Sequence, residues 1–163
     1  MIRIAKIEDL ENIVEIYNQA IDAGFQTAFT QRYKTEDKVD WFYEHPENKY
    51  PLLVYVHDGK VVGYLHVSPY RQGRAALRFA VEISYFIHKD FHRRGIGSQL
   101  LEHGIKMCRD LKYKTLLAII IEQNIASARL LEKYGFEKWG YLPDIADYDG
   151  VECSQVYYGL KLG

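Results

Sequence analysis

The chain has 163 residues, 48% of them hydrophobic and 26% charged, the usage of an ordinary folded domain, which excludes collagen-like, low-complexity and disordered classes. At this length one domain spanning residues 1–163 buries roughly two-thirds or more of the surface its unfolded form exposes, so neither a disulfide nor a structural metal is needed. With 21 Lys plus Arg against 22 Asp plus Glu, the net charge of -1 supplies no bulk attraction to nucleic acid or to an anionic membrane.

Ile2 to Ile4 reads as a short strand, and the opening Met1-Ile2-Arg3-Ile4 lacks a signal-peptide core. Leu10, Ile13, Val14, Tyr17, Ala20 and Ile21 then recur at three and four, the stripe of an amphipathic helix. Gly24 to Tyr33 has no clean period and carries Phe25, Phe29 and Tyr33, so it is expected as a loop walling a pocket. Thr35-Glu36-Asp37 starts a helix that Pro46 stops near His45. Leu52–His57 and Lys60–Val67 are joined by Asp58-Gly59, which predicts an antiparallel hairpin. After a loop at Tyr70–Arg74, Phe79–Ile87 is a strand. His88 to Gly97 follows as a polar, basic, glycine-containing turn, and then a helix with core stripe Leu100, Leu101, Ile105, Cys108 and Leu111.

Thr115–Ile121 is a β-branched apolar run without alternation, as expected of a strand covered on both faces. Its apolar core, Leu116 to Ile121, falls far short of the ~20 residues that span a bilayer, and a cytoplasmic protein is expected. Asn124–Tyr134 reads as a helix ended by Gly135 in a left-handed cap. Phe136–Tyr141 is a strand, Pro143–Gly150 a turn region, and Cys153–Leu162 a final Tyr-rich strand. The order implies an α/β (α+β) fold in which a mixed, mostly antiparallel sheet carries helices on both faces. The two cysteines, Cys108 and Cys153, share no ligand spacing and read as free thiols. His88 and His92 flank a turn with no third ligand nearby, so no metal site is expected.

The most specific chemistry lies between Glu82 and Leu101. A helix N-terminus has unpaired N–H groups and partial positive charge suited to phosphate; Gly95 and Gly97 allow close approach, and Arg93 and Arg94 add charge at the rim. The other reading of this stretch is an ordinary strand-to-helix turn with a solvated basic patch. The Rossmann and P-loop spacings are both absent. Glu82 taken by itself reads first as a half-exposed strand carboxylate paired with Arg74 or Arg78, and only second as a base.

The segment R-R-G-I-G-S at 93–98, preceded by V-E-I-S-Y-F-I, resembles the cofactor turn of the GNAT superfamily of acyl-CoA-dependent N-acetyltransferases. N-I-A-S-A-R-L-L-E-K-Y-G-F at 124–136 is similar to its second cofactor-contacting helix. A-V-E-I-S-Y-F-I, T-A-F at 27–29 and the later G-Y-L resemble the phosphinothricin acetyltransferase branch in particular. The resemblance implies a GNAT-like fold and acetyl-CoA as cosubstrate. It implies Glu82 as general base, Tyr85, Phe86 and Ile87 along the pantetheine arm, and residues Arg93, Arg94, Gly95, Ile96, Gly97 and Ser98 around the pyrophosphate. Asn124, with Ser127 one turn on, would contact the cofactor arm, and Phe29, Arg74 and Tyr148 are the acceptor-side candidates.

The implied reaction is direct acetylation of a small primary amine, an amino acid or an analogue such as phosphinothricin or methionine sulfone. The branch is commonly dimeric, so a homodimer is a further expectation. His92 stands where the superfamily has Gln or Arg, Leu131 where a tyrosine acid is common, Leu77 where the branch has tyrosine, and E-C-S-Q at 152–155 where it has W-x-D-V. A non-catalytic acyl-CoA-binding module and a peptide or protein N-acetyltransferase are the alternative readings.

Overall fold

The computed structural model describes every residue from Met1 to Gly163. In chain order the elements are β1 (Ile2–Ile4), α1 (Leu10–Ala23), α2 (Val39–Tyr43), β2 (Leu52–His57), β3 (Lys60–Pro69), β4 (Ala80–Ile87), α3 (Ile96–Asp110), β5 (Thr115–Ile121), α4 (Ile125–Lys133), β6 (Glu137–Tyr148) and β7 (Val151–Lys161). The strands form one sheet in the order β1-β2-β3-β4-β5-β7-β6. Every neighbouring pair is antiparallel except β4 with β5. The expected mixed, mostly antiparallel sheet is therefore present.

Local chemistry fixes most of these elements. Asp58 and Gly59 both have positive φ, 48° and 74°, the backbone a two-residue hairpin turn requires to match strand twist. Arg3 reaches Asp9 through two hydrogen bonds of 2.7 and 2.9 Å, tying β1 to the entry of α1. The predicted stripe of α1 is buried from Leu10 to Ile21, except that Tyr17 is half-buried, and Ile16 joins it. Gly24, at φ 74°, ends the helix. On that face of the sheet Ile13 and Ile16 pack on Leu52, Val54 and Tyr64. On the other face α3 sets Leu100, Leu101, Ile105 and Cys108 against Leu65, Val67, Val81 and Ile83, with Leu131 and Phe136 closing the edge.

Two expectations need correction. The segment after Lys34 is a 3₁₀ turn at Thr35–Lys38 followed by the short α2, not one helix to His45. Nor is Pro143–Gly150 a turn region: β6 runs on to Tyr148, and only Asp149 and Gly150 turn the chain. Leu142 pairs with Gln155 and Ala146 with Cys153, so residues 143–145 bulge against Ser154. The Ser154 Oγ accepts the Asp144 N–H at 3.0 Å, and Asp144 takes φ 48°. The proline and aspartate are thus absorbed as a bulge, the usual place for proline within a paired strand.

Helix α3 lies close enough to the sheet that a Cβ on Gly104 would stand 2.9 Å from Leu65 Cδ1 and 3.0 Å from Ile83 Cδ1, both on fully buried side chains. Gly104→Val is expected to destabilise the protein by about 1–3 kcal/mol through overpacking, read as a lower urea midpoint with unchanged slope.

Candidate active site

Strand β4 pairs with β3 from Val81 through Ile87 but with β5 only from Ala80 to Glu82. Strand β5 instead pairs along its whole length with β7, so past Glu82 the two parallel strands part. The His88 N–H donates to Val62 O at 2.8 Å, which makes Ile87 and Gly63 a non-hydrogen-bonded pair. By alternation, the backbone groups of Phe86 face β3, and those of Tyr85 and Ile87 face the gap. His92 Nε2 takes up the Ile87 carbonyl at 2.9 Å, leaving the Ile87 N–H and both Tyr85 backbone groups on the open edge.

On the α3 and α4 side the gap opens into a cavity of about 420 Å³. From His92 to Ser98 no backbone N–H makes an intramolecular hydrogen bond; the first bond of the helix is Gln99 N–H to Gly95 O at 3.1 Å. Arg93 and Gly95 take left-handed backbone, φ 60° and 76°, curling this row of donors into an anion-receptive turn. Arg93, Gly95, Ile96, Gly97, Ser98, Asn124 and Ser127 all line the cavity with Tyr85, Phe86 and Ile87. Arg94 does not: its guanidinium stacks 4.8 Å over the Phe91 ring. Gly97 is small for another reason than ligand approach, since a Cβ there would meet Leu130 Cδ2 at 3.2 Å. Asn124 spends its side-chain oxygen capping α4 through the Ser127 N–H at 3.3 Å. The Tyr85 hydroxyl is buried without a hydrogen-bond partner, and burial, offset in part by nearby Ser127, pushes it up to about 12.

On the α1 side lies a second cavity of about 470 Å³ containing Glu82. Its outer wall is the segment 26–29, held by Tyr17 OH to Thr27 Oγ1 at 2.9 Å and by Asn18 bonded both ways to Tyr33 at 2.9 and 2.8 Å. Phe29 lines this cavity as expected. Tyr148 does not line it; its hydroxyl donates to Thr27 O at 2.8 Å and its ring packs on Phe25, so it braces the wall from behind. Arg74 is exposed and donates to Gln72 O at 3.0 Å, and Arg78 donates to Ala75 O at 2.9 Å. Neither pairs with Glu82, because the loop turns both guanidinium groups back onto its own carbonyls.

Glu82 is half-buried, and burial raises its carboxyl above the usual range. Residues that sequence reading missed are Lys38, Trp41, His66, Ser84 and Tyr157. Ser84 and His66 were reachable in principle, because they follow from the register Glu82↔Ser68 and Ser84↔His66. Lys38, Trp41 and Tyr157 arrive from distant elements with no local signal. Gln26, Ser84, Phe86, Ile119 and Ile120 line both cavities, so the two meet at the strand gap. No group of three or more His, Cys, Asp or Glu side chains converges anywhere in the molecule.

The site is thus a row of free backbone donors beside one cavity, joined at the strand gap to a second cavity that holds a carboxyl raised by burial. The sequence pattern of the acetyltransferase (GNAT) family matches residues 11–136, and the chain belongs to that family. It is 34% identical over 161 residues to Bacillus subtilis YwnH, provisionally named a phosphinothricin acetyltransferase, covering 99% of this chain and 98% of that one. To the L-amino acid N-acyltransferase MnaT of Escherichia coli it is 31% identical, covering 99% and 93%. Among solved structures, the GNAT superfamily phosphinothricin acetyltransferase of Sinorhizobium meliloti, in complex with AcCoA, superposes with a TM-score of 0.95 at 28% identity, covering 100% of this chain and 88% of that one.

A carboxyl raised in the fold binds its proton more tightly than in the unfolded chain, so its ionisation opposes folding as pH rises above about 4.5, the ordinary value. Glu82→Gln removes that penalty. The variant is expected to be more stable than the native protein at pH 7, with the difference shrinking toward pH 4, as measured by urea unfolding at both values.

Proposed function

We propose that the chain is a single-domain cytoplasmic enzyme that moves the acetyl group of acetyl-CoA directly to the primary amine of a small molecule. The acceptor is an amino acid or an analogue of the methionine sulfone or phosphinothricin kind. The observation that carries this reading is the meeting of the two cavities at Ser84 and Phe86, with Glu82 the one carboxylate lining either of them.

Acetyl-CoA supplies an acyl group already activated as a thioester. The free N–H groups from His92 to Ser98 fit its pyrophosphate, and Arg93 adds charge at the rim. The open edge of Tyr85 and Ile87 fits the amide groups of the pantetheine arm as a further strand would. N–H groups on that edge also stand ready to polarise a carbonyl in the gap.

An α-amine of pKa ~8 is largely protonated at neutral pH, so a base must take its proton before it can attack. Glu82 takes it, directly or through water; its position in the cavity lining and the burial that raises its basicity support this role. Leu131, at the position where the family commonly has a tyrosine acid, is fully buried; a thiolate of pKa about 8.5 leaves without one. Cys108 and Cys153 are both buried and line neither cavity, and burial pushes the Cys108 thiol up to about 12, which supports direct transfer over an acyl-cysteine.

The pinned wall at 26–29 favours a small acceptor over a peptide. Trp139, Tyr141, Ile145 and Val151 stand exposed on β6 and β7, which supports a homodimer through that ribbon.

The test is thiol release from acetyl-CoA against a panel of amino acids, methionine sulfone and sulfoximine, phosphinothricin, polyamines and peptides. Turnover of a small amine, lowered ~10²-fold or more in Glu82→Gln, is expected. Turnover of peptides alone, or tight acetyl-CoA binding with no turnover, would overturn the reading. Gly95→Val places a β-branched residue at φ 76°, a strain of about 1–2 kcal/mol, and is expected to raise the KM for acetyl-CoA roughly tenfold.

A further inference from the structure

The acceptor cavity has a second polar end that proton transfer at Glu82 does not use. There the Lys38 ammonium sits 4.1 Å from the Tyr33 ring centroid and 5.5, 5.6 and 5.7 Å from those of Tyr17, Trp41 and Phe29. Its acidic neighbours, Glu44 and Asp37, act on it only through space, and neither lies within ion-pair distance. A half-buried cation held by ring faces has part of its hydration replaced by quadrupoles, but it has no counter-ion.

Beside it stands His66. Its Nδ1 is buried without a partner, whereas Nε2 is not cut off, and the residue lines the cavity. Burial, with His45 and Lys38 nearby, lowers this imidazole to about 3, so at neutral pH it is uncharged and carries one N–H. His45 packs edge-on, 5.3 Å between ring centroids, and its Nδ1 meets the Trp41 carbonyl at 2.7 Å. A proton on Nε2, the ring nitrogen of His66 that is not cut off, would be the one offered to the cavity.

The register fixes where this end lies. His66 is opposite Ser84 and Ser68 is opposite Glu82, so His66 is about 7 Å along the sheet from Glu82, two strand residues. The cavity therefore has a carboxylate at one end and an unpaired cation beside a neutral donor at the other.

Resting on the small-amine reading above, we propose that Lys38 and His66 form an oxyanion-recognition end of the acceptor cavity. They select amines that also carry a negatively charged oxygen group, either the α-carboxylate of a free amino acid or an oxyanion at the end of a short side chain. A polyamine or a lysine-like acceptor would instead bring a second cation against Lys38.

The experiment compares methionine sulfone, its carboxamide and 3-aminopropylphosphonate as acceptors, with Lys38→Met, Lys38→Arg and His66→Phe, using the KM for acetyl-CoA as the control for an intact donor side. Binding is read in parallel from Trp41 fluorescence in a Trp139→Phe background, without turnover. In the native protein kcat/KM is expected to fall at least tenfold, ~1.4 kcal/mol, from the acid to the carboxamide. Lys38→Met should bring the acid down to the level of the carboxamide, mainly through KM, Lys38→Arg should restore most of the difference, and His66→Phe should narrow it. The phosphonate tells a carboxylate site from a distal-oxyanion site. Equal use of acid and carboxamide by the native protein, or undiminished discrimination in Lys38→Met, overturns the proposal. If no acceptor turns over, the small-amine reading fails by itself. A saturable Trp41 response to the acid that is lost in Lys38→Met would still support the oxyanion end, and the same response in both proteins would overturn it.

Discussion

The parting of β4 from β5 is the constraint on which the rest of the site depends. A sheet ordinarily closes such a gap, because unpaired backbone groups cut off from water are costly. Here each strand is committed elsewhere. Strand β4 is bonded to β3 through Ile87 and gripped from one face by α3, whose approach needs Gly63 and Gly104: a Cβ on Gly63 would lie 3.0 Å from Ile87 Cδ1 and 3.1 Å from Ile96 Cγ2. Strand β5 is carried away by its seven pairings with β7. The two strands diverge past Glu82 while each stays in register with its other neighbour, and the free N–H groups on the open edge are what an extended ligand arm would satisfy.

The two sides of the gap are built by different means. The α3 and α4 side, proposed for the acyl donor, is continuous in sequence, a strand, a turn and a helix, with its geometry set by two left-handed residues, Arg93 and Gly95. The acceptor side is assembled from α1, α2, β3, β4, β5 and β7, and its outer wall is held by contacts as distant in sequence as Thr27 and Tyr148. The bulge at 143–145 belongs to this assembly, since it lets β6 continue to Tyr148 and deliver that hydroxyl to the wall. A surface ribbon thereby shapes an interior pocket.

That difference explains what was legible beforehand. The Asp58-Gly59 hairpin, the stripes of α1 and α3 and the glycine turn all rest on contacts a few residues apart, and each is found where the sequence places it, except that Leu111 falls just past the end of α3, half-buried and outside the core. The residues expected around the cofactor turn line one cavity together, apart from Arg94, whose guanidinium stacks on the Phe91 face. On the acceptor side, Arg74 and Tyr148 were misplaced because a loop's own carbonyls and a strand bulge, neither visible as a pattern, decide where those side chains go. Lys38 could not be read at all, since a lysine in a Thr-Glu-Asp-Lys helix start looks like a solvated charge; His66 looks like core by itself and joins the site only through the pairing register of β3 with β4.

The charges of the acceptor cavity belong together. Burial works against the ionised form of Glu82 and against the protonated forms of Lys38 and His66, so each of the three is tuned by loss of water. For Glu82 the result is a stronger base, and for His66 a neutral donor that cannot compete with Lys38 for charge. For Lys38 burial is opposed through space by Glu44 and Asp37, and the surrounding ring faces replace part of its hydration without neutralising its charge. Together the three groups favour an occupant bearing an amine at one end and an oxyanion at the other, and they disfavour one that brings a second cation against Lys38.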